Sequence, residues 1–252
     1  MASGLIAVEL ATGPDVVPVE AALELVVDDR PLAVLMRTPT GDDLALAAGF
    51  LWSEGVIEAP DDLAALAPCR DPADPQAEHR VLARLAAGVP EPRARTFDVG
   101  SACGLCGTTR VDDIVKRLSD RGPPRPLDPA EVSPLSDLAR PHQALFRATG
   151  AVHGAALFDG VTLVDLREDV GRHNAVDKLL GAAFLAGRPL VDLTLWVSGR
   201  VAFEIVQKAA IAGVRAVVGV GGTTSLAVAL ARRIGLPLVA FARGERMNVY
   251  AP

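Results

Sequence analysis

Cys103 and Cys106 are separated by two residues in the stretch from Phe97 to Thr109, with glycine at positions 100, 104 and 107. Glycine takes positive φ at no steric cost, so the segment is expected to be a tightly turned or mobile loop. Thr108 or Thr109 then supplies the N-cap of a helix expected over 110–118. A thiol just before a helix N-terminus sits in positive potential, which favours the thiolate, the nucleophilic form. These residues are the chain's candidate reactive groups.

Several chemistries use such a pair. A structural zinc site needs four ligands, usually in paired motifs. Only Cys69 and His79, His142, His153 and His173 remain here, with no second C-x-x-C and no H-x₃₋₅-H, so no metal site is expected. A zinc deaminase needs H-x-E and P-C-x-x-C; His153 is followed by Gly154 and Ala155, and Ala102 precedes Cys103. A thiol–disulfide oxidoreductase is compatible with C-x-x-C alone, although no leading βαβ unit precedes the motif. Sulfur transfer, in which a cysteine accepts a sulfane sulfur as a persulfide and carries it onward, suits a reactive thiolate on a glycine-hinged loop. Two inert buried thiols fit the three glycines least well, and Cys69, alone in a polar connection, reads as incidental.

The bulk composition narrows the setting. Half of the 252 residues are hydrophobic and 22% are charged, as in a well-packed globular protein. A net charge of −6 argues against a general nucleic-acid binder. No apolar run has the length of a membrane span, and residues 1–10 lack the basic start and apolar core of a secretory signal. Three cysteines are too few, and of the wrong parity, for a disulfide framework. A cytoplasmic protein with reduced thiols is the simplest expectation.

The elements that must position these groups follow from periodicity. Segments 21–27 and 31–37 read as strands joined by a turn at Asp28–Asp29–Arg30. A helix starts at Asp42 with Leu44, Ala47, Ala48, Leu51 and Trp52 on one face, and 61–66 reads as a further helical turn. Strands are expected over 79–86 and 93–99. The proline-rich stretch 121–129 marks the boundary between a domain over 1–125 and one over 126–252. Beyond it, 133–146 reads as a helix interrupted at Pro141, and strands 155–159 and 161–167 flank Gly160 as a hairpin. A helix from about 172 to 186 comes next. Strands near 193–197, 216–220 and 238–242 then alternate with amphipathic helices, and 247–250 is a last short strand. Apolar strands between such helices argue for a mostly parallel α/β sheet covered on both faces. No internal repeat is seen.

Strand-to-helix junctions of this half share a chemistry. Glu168–Asn174 carries Arg172 and His173; Ser198, Gly199 and Arg200 follow a strand; Gly221, Gly222 and Thr223 lead into Thr224 and Ser225. The exit of the strand ending near residue 242 is Phe241, Ala242, Arg243, Gly244, Glu245 and Arg246. In an open parallel sheet these turns lie at the carboxyl ends of the strands, where ligands bind. Backbone N–H groups and arginines there favour anions, which suggests a phosphate-bearing ligand. No Walker loop is present, and Gly219-x-Gly221-x-x-Thr224 lacks the third glycine of the dinucleotide fingerprint.

Taken together, these blocks are familiar. Ser101-Ala-Cys-Gly-Leu-Cys-Gly107, Glu168-Asp-Val-Gly-Arg-His-Asn-Ala-Val-Asp-Lys178, Ser198-Gly-Arg200 with Glu204-Ile-Val-Gln-Lys-Ala209, and Thr224-Ser-Leu-Ala-Val228 resemble the formate dehydrogenase accessory sulfurtransferase family (FdhD). Met36-Arg-Thr-Pro39 and Gly49-Phe-Leu51 with Glu54-Gly55 extend the resemblance, in order, from about residue 20 to Tyr250. It implies an α/β protein (α+β overall) with a smaller β-rich N-terminal domain and a cytidine-deaminase-like three-layer α/β domain without zinc. It implies a cytoplasmic homodimer and a sulfurtransferase that takes persulfide sulfur from a cysteine desulfurase. The sulfur goes to the bis-molybdopterin guanine dinucleotide form of the molybdenum cofactor, which formate dehydrogenase requires. By the same resemblance Cys103 bears the persulfide, Cys106 assists, and the cofactor-binding segment is Phe241–Arg246; a guanine nucleotide such as GDP is expected to mimic the cofactor. A cofactor-delivery chaperone and a thiol oxidoreductase are the alternatives. The chain departs from the family pattern at Thr149–His153 and at the glycine-rich Gly219–Thr223.

Overall fold

Asp28 and Asp29 close a hairpin, as the sequence suggests. Both take positive φ, 46° and 63°, the geometry of a two-residue turn whose twist matches that of its flanking strands. The computed structural model describes residues 4–92 and 127–252. The chain runs through β1 (Leu5–Leu10), β2 (Gly13–Pro18), β3 (Ala21–Val27), β4 (Arg30–Arg37), α1 (Asp43–Ser53), β5 (Leu63–Pro68) and β6 (Arg80–Leu85). Then come α2 (Pro129–Val132), α3 (Leu135–Ala139), α4 (Ala144–Thr149), β7 (His153–Asp159), β8 (Thr162–Asp169) and α5 (Arg172–Leu185). The chain ends with β9 (Thr194–Val197), α6 (Phe203–Ala212), β10 (Ala216–Gly219), α7 (Ser225–Ile234), β11 (Leu238–Arg243) and β12 (Arg246–Ala251). Among the described residues no helix is long and apolar enough to cross a membrane.

Two units emerge. Of the described residues, the first takes 4–92, 145–152 and 169–188, and the second takes 127–144, 153–168 and 189–252. In the first unit the sheet order is β4-β3-β6-β5, with β3 antiparallel to β4 and parallel to β6. Alternate residues Leu23, Leu25, Val27, Val81, Ala83 and Leu85 bury one face of this sheet in a core shared with Leu46, Phe50 and Leu51 of α1. α1 also packs on α5, where the Trp52 and Phe184 rings lie 4.8 Å apart. A helix expected in a domain beginning at residue 126 therefore belongs to the first unit. Its apolar stripe was legible, but a stripe does not say which neighbour covers it. β1 and β2 form a separate antiparallel hairpin that the sequence reading does not single out.

The helical turn expected over 61–66 is replaced by a 3-10 turn, Pro60–Asp62, followed by β5. The Asp62 carboxylate accepts the Glu58 and Ala59 N–H groups, which hold it below the usual carboxylate range. It closes a turn instead of opening a helix, and the residues after it complete the sheet beside β6.

The α1–α5 crossing is close. A Cβ at Gly181 would stand 1.9 Å from the Ala45 carbonyl oxygen, so only glycine lets the helices approach this far. Gly181→Ala is expected to destabilise the protein by about 3 kcal/mol, the upper end for overpacking, because backbone and not a flexible side chain must yield. A urea melt checks this as a lower midpoint at unchanged slope; an unaltered midpoint would show that the helices part freely.

The second unit carries a six-stranded sheet in the order β12-β11-β10-β9-β7-β8. β9, β10 and β11 pair in parallel, while β12 pairs antiparallel to β11 and β7 antiparallel to β9. The sheet is thus mixed, not mostly parallel, because β12 returns beside β11 as a hairpin without a crossover and β7 lies antiparallel beside β9. One face packs Ala156, Phe158, Trp196, Val218 and Val239 against Val132, Leu135 and Ala139 of α2 and α3. Leu195 and Val197, alternating with Trp196, are buried on the opposite face, and α6, packed on α7, contacts β10. The expected mixed α/β class is found. The single helix expected over 133–146 is several short ones, since Pro134 and Pro141 lack an N–H and their rings clash with the preceding turn.

Candidate functional site

At the carboxyl ends of β9, β10 and β11 the sheet's hydrogen bonding continues past the strands. Val220 N–H donates to Val197 O, Gly221 N–H to Gly199 O, Val201 N–H to Gly222 O and Phe241 N–H to Gly221 O, at 2.9–3.0 Å. The Thr223 hydroxyl donates to Val201 O at 2.9 Å. Ser198, Gly199, Arg200, Gly221, Gly222, Thr223 and Phe241 are thereby brought together within the second unit.

The glycines have a different task from the one their spacing suggests. A Cβ at Gly221 would meet the Gly199 carbonyl and Arg200 N at 2.9 Å, and one at Gly222 would meet the Phe241 ring at 2.8 Å. They let loop approach loop, and the Gly221 N–H expected to face an anion is bonded to Gly199 O instead. Ser198 is an anchor as well: its hydroxyl oxygen accepts Gly154 N–H at 2.9 Å and its own N–H donates to Gly154 O at 2.9 Å. Positive charge comes from Arg200, Arg243 and Arg246, all exposed and none in an ion pair with another described residue. Arg243 and Arg246 face each other across the β11–β12 turn, flanking Gly244 and Glu245. Like charges so placed repel one another, a cost that an anion between them would relieve. Ala242 is buried and Phe241 half-exposed.

Arg172 and His173 begin α5 and belong to the first unit. The residues around them form a buried network. Lys178 Nζ donates to Asp169 Oδ2 at 2.7 Å, to Thr38 O at 2.8 Å and to Thr40 Oγ1 at 3.0 Å. Asp169 Oδ2 also accepts Thr38 N–H at 3.0 Å, while Oδ1 accepts Gly171 N–H at 2.8 Å and the Asn174 amide at 3.2 Å. Asn174 donates further to Met36 O at 2.7 Å, and Ser53 Oγ to Asp177 Oδ1 at 3.0 Å. Asp169 and Lys178 stand in the Glu168–Lys178 block that carries the resemblance, but the sequence assigns neither a role; a lysine between Val176 and Leu179 on a buried helix face is the available signal. Cys103 and Cys106 lie outside the described residues.

A family model described as the FdhD/NarQ family matches residues 18–252. The chain belongs to the FdhD/NarQ family. A sulfur carrier protein FdhD of Streptomyces avermitilis is 45% identical over 252 residues, spanning 96% of this chain and 89% of that one. The protein of the same name from Mycobacterium tuberculosis is 41% identical over 255 residues, with 96% and 92% covered. A crystal structure from Desulfotalea psychrophila, described as that of a formate dehydrogenase accessory protein, superimposes with a TM-score of 0.73 at 27% identity, covering 98% of this chain and 95% of that chain. Within this FdhD/NarQ chain, two of the blocks that carry the sequence resemblance, Met36–Pro39 and Glu168–Lys178, meet in the Asp169–Lys178 network.

Proposed function

We propose that the protein is a sulfurtransferase of the cytoplasm that carries sulfur to the molybdenum cofactor needed by formate dehydrogenase. The observation that carries this reading is the near-full-length similarity to sulfur carrier proteins, joined to the Cys103-x-x-Cys106 pair. The Cys103 thiolate attacks the outer sulfur of a cysteine desulfurase persulfide. A new S–S bond forms on Cys103, the old one breaks, and the donor leaves as a thiolate with no net oxidation. The S–S bond on Cys103 then breaks, Cys103 leaves as the thiolate, and the outer sulfur passes to the reduced molybdenum centre of the bis-molybdopterin guanine dinucleotide, the substrate, which supplies the two electrons that take it to sulfide, with Cys106 assisting. The arginine-flanked edge of the second unit is the seat for the pyrophosphate and guanine of that substrate, and the active form is a homodimer.

The test is the intact mass of the protein after incubation with a cysteine desulfurase and cysteine. A gain of about 32 Da per sulfur is expected, removable by a thiol reductant. A loss of about 2 Da, the mark of a Cys103–Cys106 disulfide, would favour the oxidoreductase alternative. For the ligand seat, Arg243→Ala with Arg246→Ala is expected to weaken GDP binding about tenfold, more at low salt than at high. Titration calorimetry at two ionic strengths checks this, and unchanged affinity would remove the segment from the site.

A further inference from the structure

The β1–β2 hairpin is unfinished on its own. It forms a two-stranded sheet by itself, and a lone hairpin of two strands is marginally stable in water. The pairings Ile6↔Val17, Val8↔Asp15 and Leu10↔Gly13 put Ile6, Val8, Leu10, Val17 and Asp15 on one face. Ile6 is 54% exposed and Leu10 49%. No lysine, arginine or histidine lies between Gly4 and Pro18, so the hairpin's side-chain charges are those of Glu9 and Asp15. Its root is fixed. Val19 N–H donates to Gly4 O at 2.8 Å, and a Cβ at Gly4 would stand 2.9 Å from Thr38 Cγ2 at the end of β4. The family model matches from residue 18 onward, so all of the hairpin but Pro18 lies outside the matched span.

The same unit carries a second unfinished surface. Its four-stranded sheet buries one face against α1, and the opposite face presents apolar side chains where alternation would place polar ones. Val34 and Met36 of β4 are each 48% exposed and Leu82 of β6 39%, and Val26 of β3 pairs with Leu82. Glu24, Arg80 and Asp74 on this side already pair with one another. Arg84, two residues beyond Leu82 on the same face, is exposed and only loosely held by Asp29 at 3.7 Å. Asp15 makes no ion pair with another described residue. The hairpin thus offers an apolar stripe with one acid, and the sheet an apolar stripe with one base. We infer that the hairpin is a clasp that lies on the outer sheet face of a second copy of this chain, with Asp15 against the partner copy's arginine at position 84. One chain supplies both halves, so the contact is isologous and is made twice. From strand rise and spacing, a six-residue hairpin covers about 20 Å by 10 Å. The four faces engaged in two clasps then amount to on the order of 1,000 Å², the lower bound for a specific interface. This names a contact for the homodimer proposed above.

Analytical ultracentrifugation of the full chain measures the dimer dissociation constant, and a thermal melt shows that each variant is folded. Ile6→Asp with Leu10→Asp should raise that constant on the order of 100-fold, because it sets carboxylates against apolar surface in both reciprocal contacts. Asp15→Arg should raise it about tenfold, and more at low salt than at high, since Arg84 then faces a like charge. Asp15→Arg with Arg84→Asp should bring it back to the parent value, which a merely destabilised hairpin would not do. If Ile6→Asp with Leu10→Asp lowers the melting temperature, the charge swap decides alone. A constant unmoved by the folded variants, or a swap that fails to restore what Asp15→Arg lost, overturns the clasp and leaves the homodimer standing on another surface. A parent chain that sediments as a monomer overturns the homodimer, and the clasp with it.

Discussion

Cys103→Ala is expected to abolish activation of formate dehydrogenase and to remove the mass gain of about 32 Da per sulfur expected of the parent after desulfurase treatment. The argument is one of chemistry. A persulfide is a second sulfur bonded to a first, and alanine has no first sulfur. No neighbouring group replaces it unless Cys106 is an equal acceptor, so Cys106→Ala is the informative companion. A Cys106 variant that keeps the adduct but activates poorly places Cys106 in onward transfer. The thermal melt of Cys103→Ala is expected to match that of the parent, which separates loss of the nucleophile from loss of the fold. Activation at the parent level by this variant would dismiss Cys103 as the sulfur-bearing residue.

Lys178→Met is expected to be the most damaging single change to stability. The Lys178 and Asp169 side chains are both 0% exposed, and Lys178 reaches three acceptors from one buried position. A buried pair costs much in desolvation, so its net worth is small. Removing one member leaves the other charged and uncompensated, a loss of about 3–5 kcal/mol. For a chain of this size that lowers the melting temperature by roughly 6–20 °C. Asp169→Asn should cost a similar amount, because it also weakens the acceptor of the Thr38 and Gly171 N–H groups. Combining the two should cost clearly less than their sum, since each single change already breaks the pair. A Lys178→Met protein within about 1 kcal/mol of the parent by urea melt would show that Asp169 is adequately held by its other donors.

These two residues also mark the limit of what the sequence discloses. Helix α5 was legible from its apolar spacing, and the β3–β4 turn from two consecutive aspartates. Lys178 and Thr38 lie 140 positions apart, and no local pattern announces that they meet. The same limit applies to the glycines at 221 and 222. Their place after a strand was readable, but their reason is a second loop approaching from elsewhere in the chain. β1 and β2 escaped notice because most of their residues are exposed, which leaves no buried face to impose an alternating pattern. At the candidate ligand edge the arginines were readable as charge. The left-handed backbone of Phe241, at φ +55°, was not, because a phenylalanine in an apolar run predicts an ordinary strand.

The first unit draws on residues 169–188 as well as on the N-terminal portion. A nascent chain therefore cannot seal that interior when its first hundred residues have left the ribosome. It must wait until α5 has been synthesised, well into the second unit's own sequence. A gene fragment cut at residue 125 would encode α1 without the α5 that covers its apolar flank, a product disposed to aggregate.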